Sequence, residues 1–114
     1  MTDADVLLRR YASAIDARDW TALRAVLADD FEARFVHTGE THDADAYVAF
    51  NRDYPGAWRF VVDDLVADGS RGVLRARVTD GSETFHVAVF ATAGDDVLTE
   101  AVEVWTEAEK PRDA

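Results

Sequence analysis

No cysteine occurs in the 114 residues, which excludes disulfides, thiolate nucleophiles and cysteine-bound metal. Positive charge is also in short supply. Twelve Lys and Arg stand against 23 Asp and Glu, a net charge of −11, and the acids run from Asp3 to Asp113 instead of forming a tail. A field of that sign repels phosphate backbones and anionic membrane surfaces, so nucleic acid and membrane are excluded as partners. Long hydrophobic runs are missing too, and nothing approaches the roughly 20 apolar residues of a membrane helix. The opening MTDADVLLRRYASA places acids ahead of a short apolar stretch, where a signal peptide needs a basic start and a longer run. The expectation is a cytoplasmic protein. There is no internal repeat, low-complexity tract or linker.

What is abundant is apolar surface: 48% of the residues, including three Trp, three Tyr and six Phe, too much for a disordered acidic segment. A chain of this length buries roughly two thirds of its unfolded surface, enough for one core and not two. One domain over residues 1–108 is expected, followed by a polar tail at 109–114.

Leu7, Leu8, Tyr11, Ala14 and Ile15 recur at helical spacing, with Thr2 and Asp5 placed to form a capping box. Asp19 can cap a second short helix carrying Trp20, Leu23, Val26 and Leu27 on one face. Phe31 to His37 reads as a short strand leading into the turn at Thr38, Gly39 and Glu40. A third helix follows, capped by Thr41 or Asp43, with Tyr47, Phe50, Asn51 and Tyr54 along one side and a stop at Pro55-Gly56. Beyond Ala57 the pattern changes to runs rich in β-branched and aromatic residues. They break at Asp68-Gly69-Ser70, Asp80-Gly81-Ser82 and Ala93 to Asp96, giving strands near 57–67, 71–79, 83–92 and 97–107. Helices ahead of a meander define an α+β fold with the helices on one sheet face. In the runs Phe85 to Phe90 and Ala101 to Trp105 apolar groups occupy both alternating faces, so the outer face also needs a cover. A second copy of the chain, in a homodimer, is the expected one.

The segments RRYASAIDARDWTALRAVLADDF, HTGETHDADAYVAF and VEVWTE together resemble the nuclear transport factor 2-like superfamily, in its SnoaL-like and ketosteroid isomerase-like branch. The resemblance spans nearly the whole chain. It implies a cone: three N-terminal helices packed on a strongly curved mixed sheet that ends in a four-stranded antiparallel meander, enclosing an apolar pocket and needing no cofactor. It also implies that Tyr11 matches a tyrosine used by ketosteroid isomerases to donate to an oxyanion. The isomerases' general base, an aspartate, corresponds to Phe35, which cannot take a proton. Their second oxyanion donor falls near His86 or Ala88. Pocket-facing positions on the last strand correspond to Ala101, Glu103 and Trp105.

Glu103 facing such a cavity becomes a candidate general acid or base, because burial disfavours its charged form. Turned to solvent or paired with Arg75 or Arg77, it is structural. Tyr11 is either an oxyanion donor or a core aromatic with a satisfied hydroxyl. His86 could serve as a base if it points inward. A two-residue turn at Asp80-Gly81, however, pairs Leu74 with Val87 and Ala76 with Phe85, placing His86 outside with Arg75 and Arg77; one more loop residue reverses that. His37 and His42 flank a turn without metal-ligand spacing and read as a solvated loop. Phe35, Phe50, Tyr54, Trp58, Phe60 and Trp105 could line a pocket for a small, mainly apolar cyclic ligand. The expected function is binding such a ligand, with acid–base isomerase, cyclase or hydrolase chemistry as the catalytic version. A non-catalytic interaction domain with a vestigial pocket is the alternative.

Overall fold

In the computed structural model, which describes residues 2–107, three helices pack on one face of a six-stranded mixed sheet. Helix α1 spans Ala4–Ala17 and is capped by Asp3, whose carboxylate accepts from the Val6 N–H at 3.2 Å. The cap is therefore one residue later than the expected Thr2. The Thr2 N–H donates instead to the Asp96 carboxylate, in the turn at 95–96. Leu7, Leu8, Tyr11 and Ala14 form the buried stripe that the periodicity requires. The helix closes on Arg18 in the left-handed conformation, and α2, Trp20–Ala25, starts at once from its Asp19 cap.

Strand β1 covers Leu27–Phe35, so it starts four residues before the expected Phe31. The reason lies in its parallel partner, the last strand β6, Val97–Trp105. Leu27 pairs with Leu98 and Glu32 with Glu100, leaving an irregularity that pushes Asp29 and Asp30 out to solvent. A strand with two adjacent acids is legible only once that irregularity is known. β2, Thr41–Asp43, is a three-residue strand paired with β1, and Asp43 both ends it and caps α3, Ala44–Asp53. The Asp43 carboxylate accepts from the Ala46 N–H at 2.8 Å, which decides between the two expected caps.

The meander follows as β3 (Arg59–Asp68), β4 (Arg71–Thr79), β5 (Thr84–Gly94) and β6, and the sheet order is β2-β1-β6-β5-β4-β3. Between β4 and β5 the turn is longer than expected. Thr79 pairs with Thr84, and the Asp80 carboxylate accepts from the N–H groups of Ser82 and Glu83, both at 2.8 Å, which holds a four-residue loop. Leu74 thus pairs with Val89 and Ala76 with Val87, not with Val87 and Phe85. A slip of two residues changes every partner and no face. Leu74, Ala76, Val87 and Val89 are inside, each at most 1% exposed.

At the narrow end of the cone α1 lies directly on the sheet. A Cβ at Gly72 would come within 2.8 Å of Leu8 and 3.3 Å of Ala4, so glycine sets that helix-to-sheet distance. Ala33, Ala91 and Ala101, adjacent across β1, β5 and β6, are fully buried. On the outer face Val66, Val73, Phe90 and Val102 form one row across four strands; the first three are 65%, 37% and 41% exposed. No described helix is long and apolar enough to cross a membrane.

Candidate functional site

The wide end of the cone is not filled. A cavity of about 380 Å³ opens between α1, α3 and the inner sheet face, lined mostly by apolar and aromatic side chains. That size and lining suit a small organic molecule. Its mouth is built by sequence that has no regular structure. The Arg18 guanidinium, at the end of α1, donates to the carbonyl of Gly56 at 3.0 Å and ties down the 54–58 loop. The Trp58 indole donates to the Pro55 carbonyl at 2.7 Å and stands against Tyr54 and Phe85. Arg59 grips Asp16 with two bonds of 2.8 and 2.9 Å, joining the start of β3 to α1. The aromatic wall continues through Tyr54, Phe50 and Phe35, ring to ring.

Of the residues expected at a site, Tyr11, Phe35, Phe50, Tyr54, Trp58, Phe60, Glu103 and Trp105 line this cavity. Two do not. Ala101 points inward, yet it lies in the closed end among the other small residues, where the helices leave no space. His86 pairs with Arg77 on β4, so the even-numbered loop sends it to the outer face, away from the cavity. There Arg75 and Arg77 take Asp63 as their partner, at 3.8 and 3.0 Å, and neither reaches Glu103. His37 lines the cavity mouth, but His42 is a strand residue packed on Phe35 and Phe50, with ring centroids 5.0 and 5.3 Å away, and is no solvated loop. Among the described residues no three His, Asp or Glu side chains stand together as a metal site.

At the bottom of the cavity Glu103 is 2% exposed, the one acid buried in the described core. Its carboxyl is held from two sides. The Tyr47 hydroxyl bonds to Oε2, and the Trp105 indole N–H donates to Oε1 at 2.8 Å. Tyr47 in turn shares a 2.5 Å hydrogen bond with the Tyr11 hydroxyl. Trp105, Glu103, Tyr47 and Tyr11 thus form one continuous polar chain along an apolar wall. Tyr47 was not among the site residues expected from sequence, because its position on α3 equally suits a core aromatic. The signal available was its polar hydroxyl on a fully buried face, which needs a partner.

Burial pushes the Glu103 carboxyl above the usual carboxylate range, and the hydroxyl and indole bonds offset only part of that. Burial also raises both phenols well above their ordinary value, and the nearby Glu103 charge adds to it. No cation enters the set. It can accept a proton, pass one along, and donate to an oxygen atom in the cavity.

A cone of helices on a mixed sheet, with a pocket at its wide end, is the architecture of the nuclear transport factor 2-like superfamily, and solved structures agree. A candidate ketosteroid isomerase from Kribbella flavida DSM 17836 is 30% identical, with a TM-score of 0.86 over 96% of this chain and 82% of that one. IdmH of Streptomyces antibioticus, named as a candidate polyketide cyclase, shares 14% identity at a TM-score of 0.77, covering 89% of this chain and 90% of its own. An epoxide hydrolase of the LEH-like type from M. tuberculosis shares 16% identity at 0.73, covering 88% and 80%. No curated protein matches the chain by sequence. Within the superfamily, the SnoaL-like domain matches residues 8–108, and the chain belongs to that family.

Proposed function

We propose that the protein binds a small, mainly apolar cyclic molecule carrying a carbonyl oxygen, with that oxygen at Tyr11 and the rings against the aromatic wall. The observation that carries this reading is the buried carboxyl of Glu103, joined through Tyr47 to Tyr11 on the wall of an otherwise greasy cavity. A buried carboxyl without a cation, held only by neutral donors beside a cavity, is the kind of perturbed group that clusters at functional sites. Tyr11 donates to the ligand oxygen and stabilises negative charge developing on it, and Glu103 holds the exchangeable proton. The similar structures named for isomerase, cyclase and epoxide hydrolase chemistry support an acid–base reaction without a cofactor. Phe35, packed edge-on against Tyr47 and Phe50, supplies no second base, so a two-carboxylate mechanism is disfavoured.

The same reading includes a homodimer and a cytoplasmic setting. The outer row of Val66, Val73, Phe90 and Val102 supports a second copy as the cover of that face. The open cavity favours a ligand-handling protein over an interaction domain with a vestigial pocket. A panel of cyclic ketones tested by thermal shift decides. A ketone that fits raises the melting temperature of the wild type and raises that of Tyr11→Phe much less. Equal shifts in both proteins, or none with any cyclic ketone, refute the proposal.

A further inference from the structure

Three hydroxyl or carboxyl groups in series can be ordered in two ways, and the structure fixes which atoms take part. The Trp105 N–H occupies Glu103 Oε1, so the carboxyl's other oxygen, Oε2, is the one facing Tyr47. Either tyrosine oxygen can be the donor in the Tyr11–Tyr47 bond. With Glu103 ionised, Tyr47 donates to Oε2 and Tyr11 donates inward, to Tyr47 or to the carboxylate itself. The Tyr11 proton is then consumed, and its oxygen offers the cavity a lone pair. With Oε2 protonated, the carboxyl donates to Tyr47, Tyr47 donates to Tyr11, and the Tyr11 proton is free to point into the cavity. Each tyrosine keeps its own hydrogen and only rotates; the single proton gained or lost is on Glu103.

We infer that this chain is a polarity relay, in which the protonation of Glu103 decides whether Tyr11 meets a ligand as hydrogen-bond donor or as acceptor. The inference rests on the reading that a ligand's polar atom meets Tyr11, and it adds which form of the protein takes which ligand. Carbonyl compounds bind the protonated form; ligands with an N–H and no acceptor bind the ionised form. The surroundings leave the relay as the local control. Glu103 is faced by Tyr11 from α1, Tyr47 from α3, Phe35 from β1 and Val89 from β5, with Trp105 on its own strand. The other ionisable groups lining the cavity, Arg18, His37, Glu40, Tyr54, Arg59 and Glu107, are exposed, so water and salt screen them from the bottom of the cavity.

Two neutral bicyclic probes of similar size test this: indanone, which only accepts, and indole, which only donates. Calorimetric titration that starts at the ordinary carboxylate value and runs upward, stopping below the raised phenols, follows the carboxyl as it loses its proton. The indanone dissociation constant is expected to rise on the order of tenfold with pH, and that of indole to fall on the order of tenfold, each by one hydrogen bond. In Glu103→Gln the amide must keep its oxygen on Trp105 and turn its NH₂ to Tyr47, which locks Tyr11 as a donor: indanone binding becomes independent of pH and indole stays weak. Parallel or flat slopes in the wild type overturn the relay while leaving the ligand pocket standing. Failure of both probes to bind at any pH overturns the pocket and the relay together. Should Glu103→Gln not fold, the opposed wild-type slopes still decide.

Discussion

The two faces of the sheet treat the same functional group in opposite ways. On the outer face the Asp63 carboxylate sits beside Arg75 and Arg77, two cations on the neighbouring strand. On the inner face Glu103 has no cation and is satisfied by two neutral donors. A solvated ion pair of the first kind contributes little to stability. A carboxyl held by phenol and indole is kept where charge is costly, so it is the group whose proton can be moved. Sheet face, more than residue type, decides which acid can do chemistry.

The comparison breaks most visibly at neighbouring positions of β4. Leu74→Ala, on the filled inner face, is expected to lower unfolding stability by about 2–5 kcal/mol. Val73→Ala, one residue away and facing outward, is expected to cost less than about 1 kcal/mol by urea denaturation at low protein concentration. At high concentration the Val73→Ala cost should grow if a second copy covers that face. Phe90→Asp then turns a dimer into a monomer in sedimentation equilibrium with the fold intact by circular dichroism. A wild type that is monomeric at all concentrations refutes the interface.

Tyr47→Phe removes one donor from Glu103 and is expected to cost about 1–2 kcal/mol. Glu103 itself gives a signed pH dependence. Its folded carboxyl lies above the unfolded one, so the folded state holds the proton more tightly. Its contribution is complete below the unfolded value and is lost as pH rises through the folded value, about 1.4 kcal/mol for each unit between the two. Glu103→Gln should flatten that decline in denaturation midpoints measured across pH. The smallest effect is expected at Asp16, whose carboxyl is lowered chiefly by its bonds from Arg59. Here the sign reverses: the contribution is present above the unfolded value and disappears as pH falls through the folded one. Asp16→Asn should abolish a slight acid sensitivity and leave the Glu103 dependence unchanged.

Much of this was legible in the sequence. The three helices and the meander follow from spacing, since periodicities of 3.6 and 2 survive errors in partner assignment, while Glu103 as a pocket-facing position was implied only by the resemblance. The direction of His86 was open, because it turned on whether the β4–β5 loop has an even or odd number of residues; the four-residue loop decides it. What stayed hidden depends on contacts distant in sequence. The bond between Tyr11 and Tyr47 joins positions 36 apart, and that between Tyr47 and Glu103 positions 56 apart. No local pattern reports them. Ala101 was misplaced for a related reason: facing inward does not say whether helices or empty space stand opposite. The tail at 109–114 lies outside the described residues.

The parallel pairing of β1 with β6 makes β6 the seam between two halves of the sheet. β1 reaches the meander only through β6, the last strand in the sequence, and that strand brings both Glu103 and Trp105. Without β6 the five earlier strands would fall into two separate groups, β2-β1 and β5-β4-β3, and the cavity would lose the wall that carries its buried carboxyl.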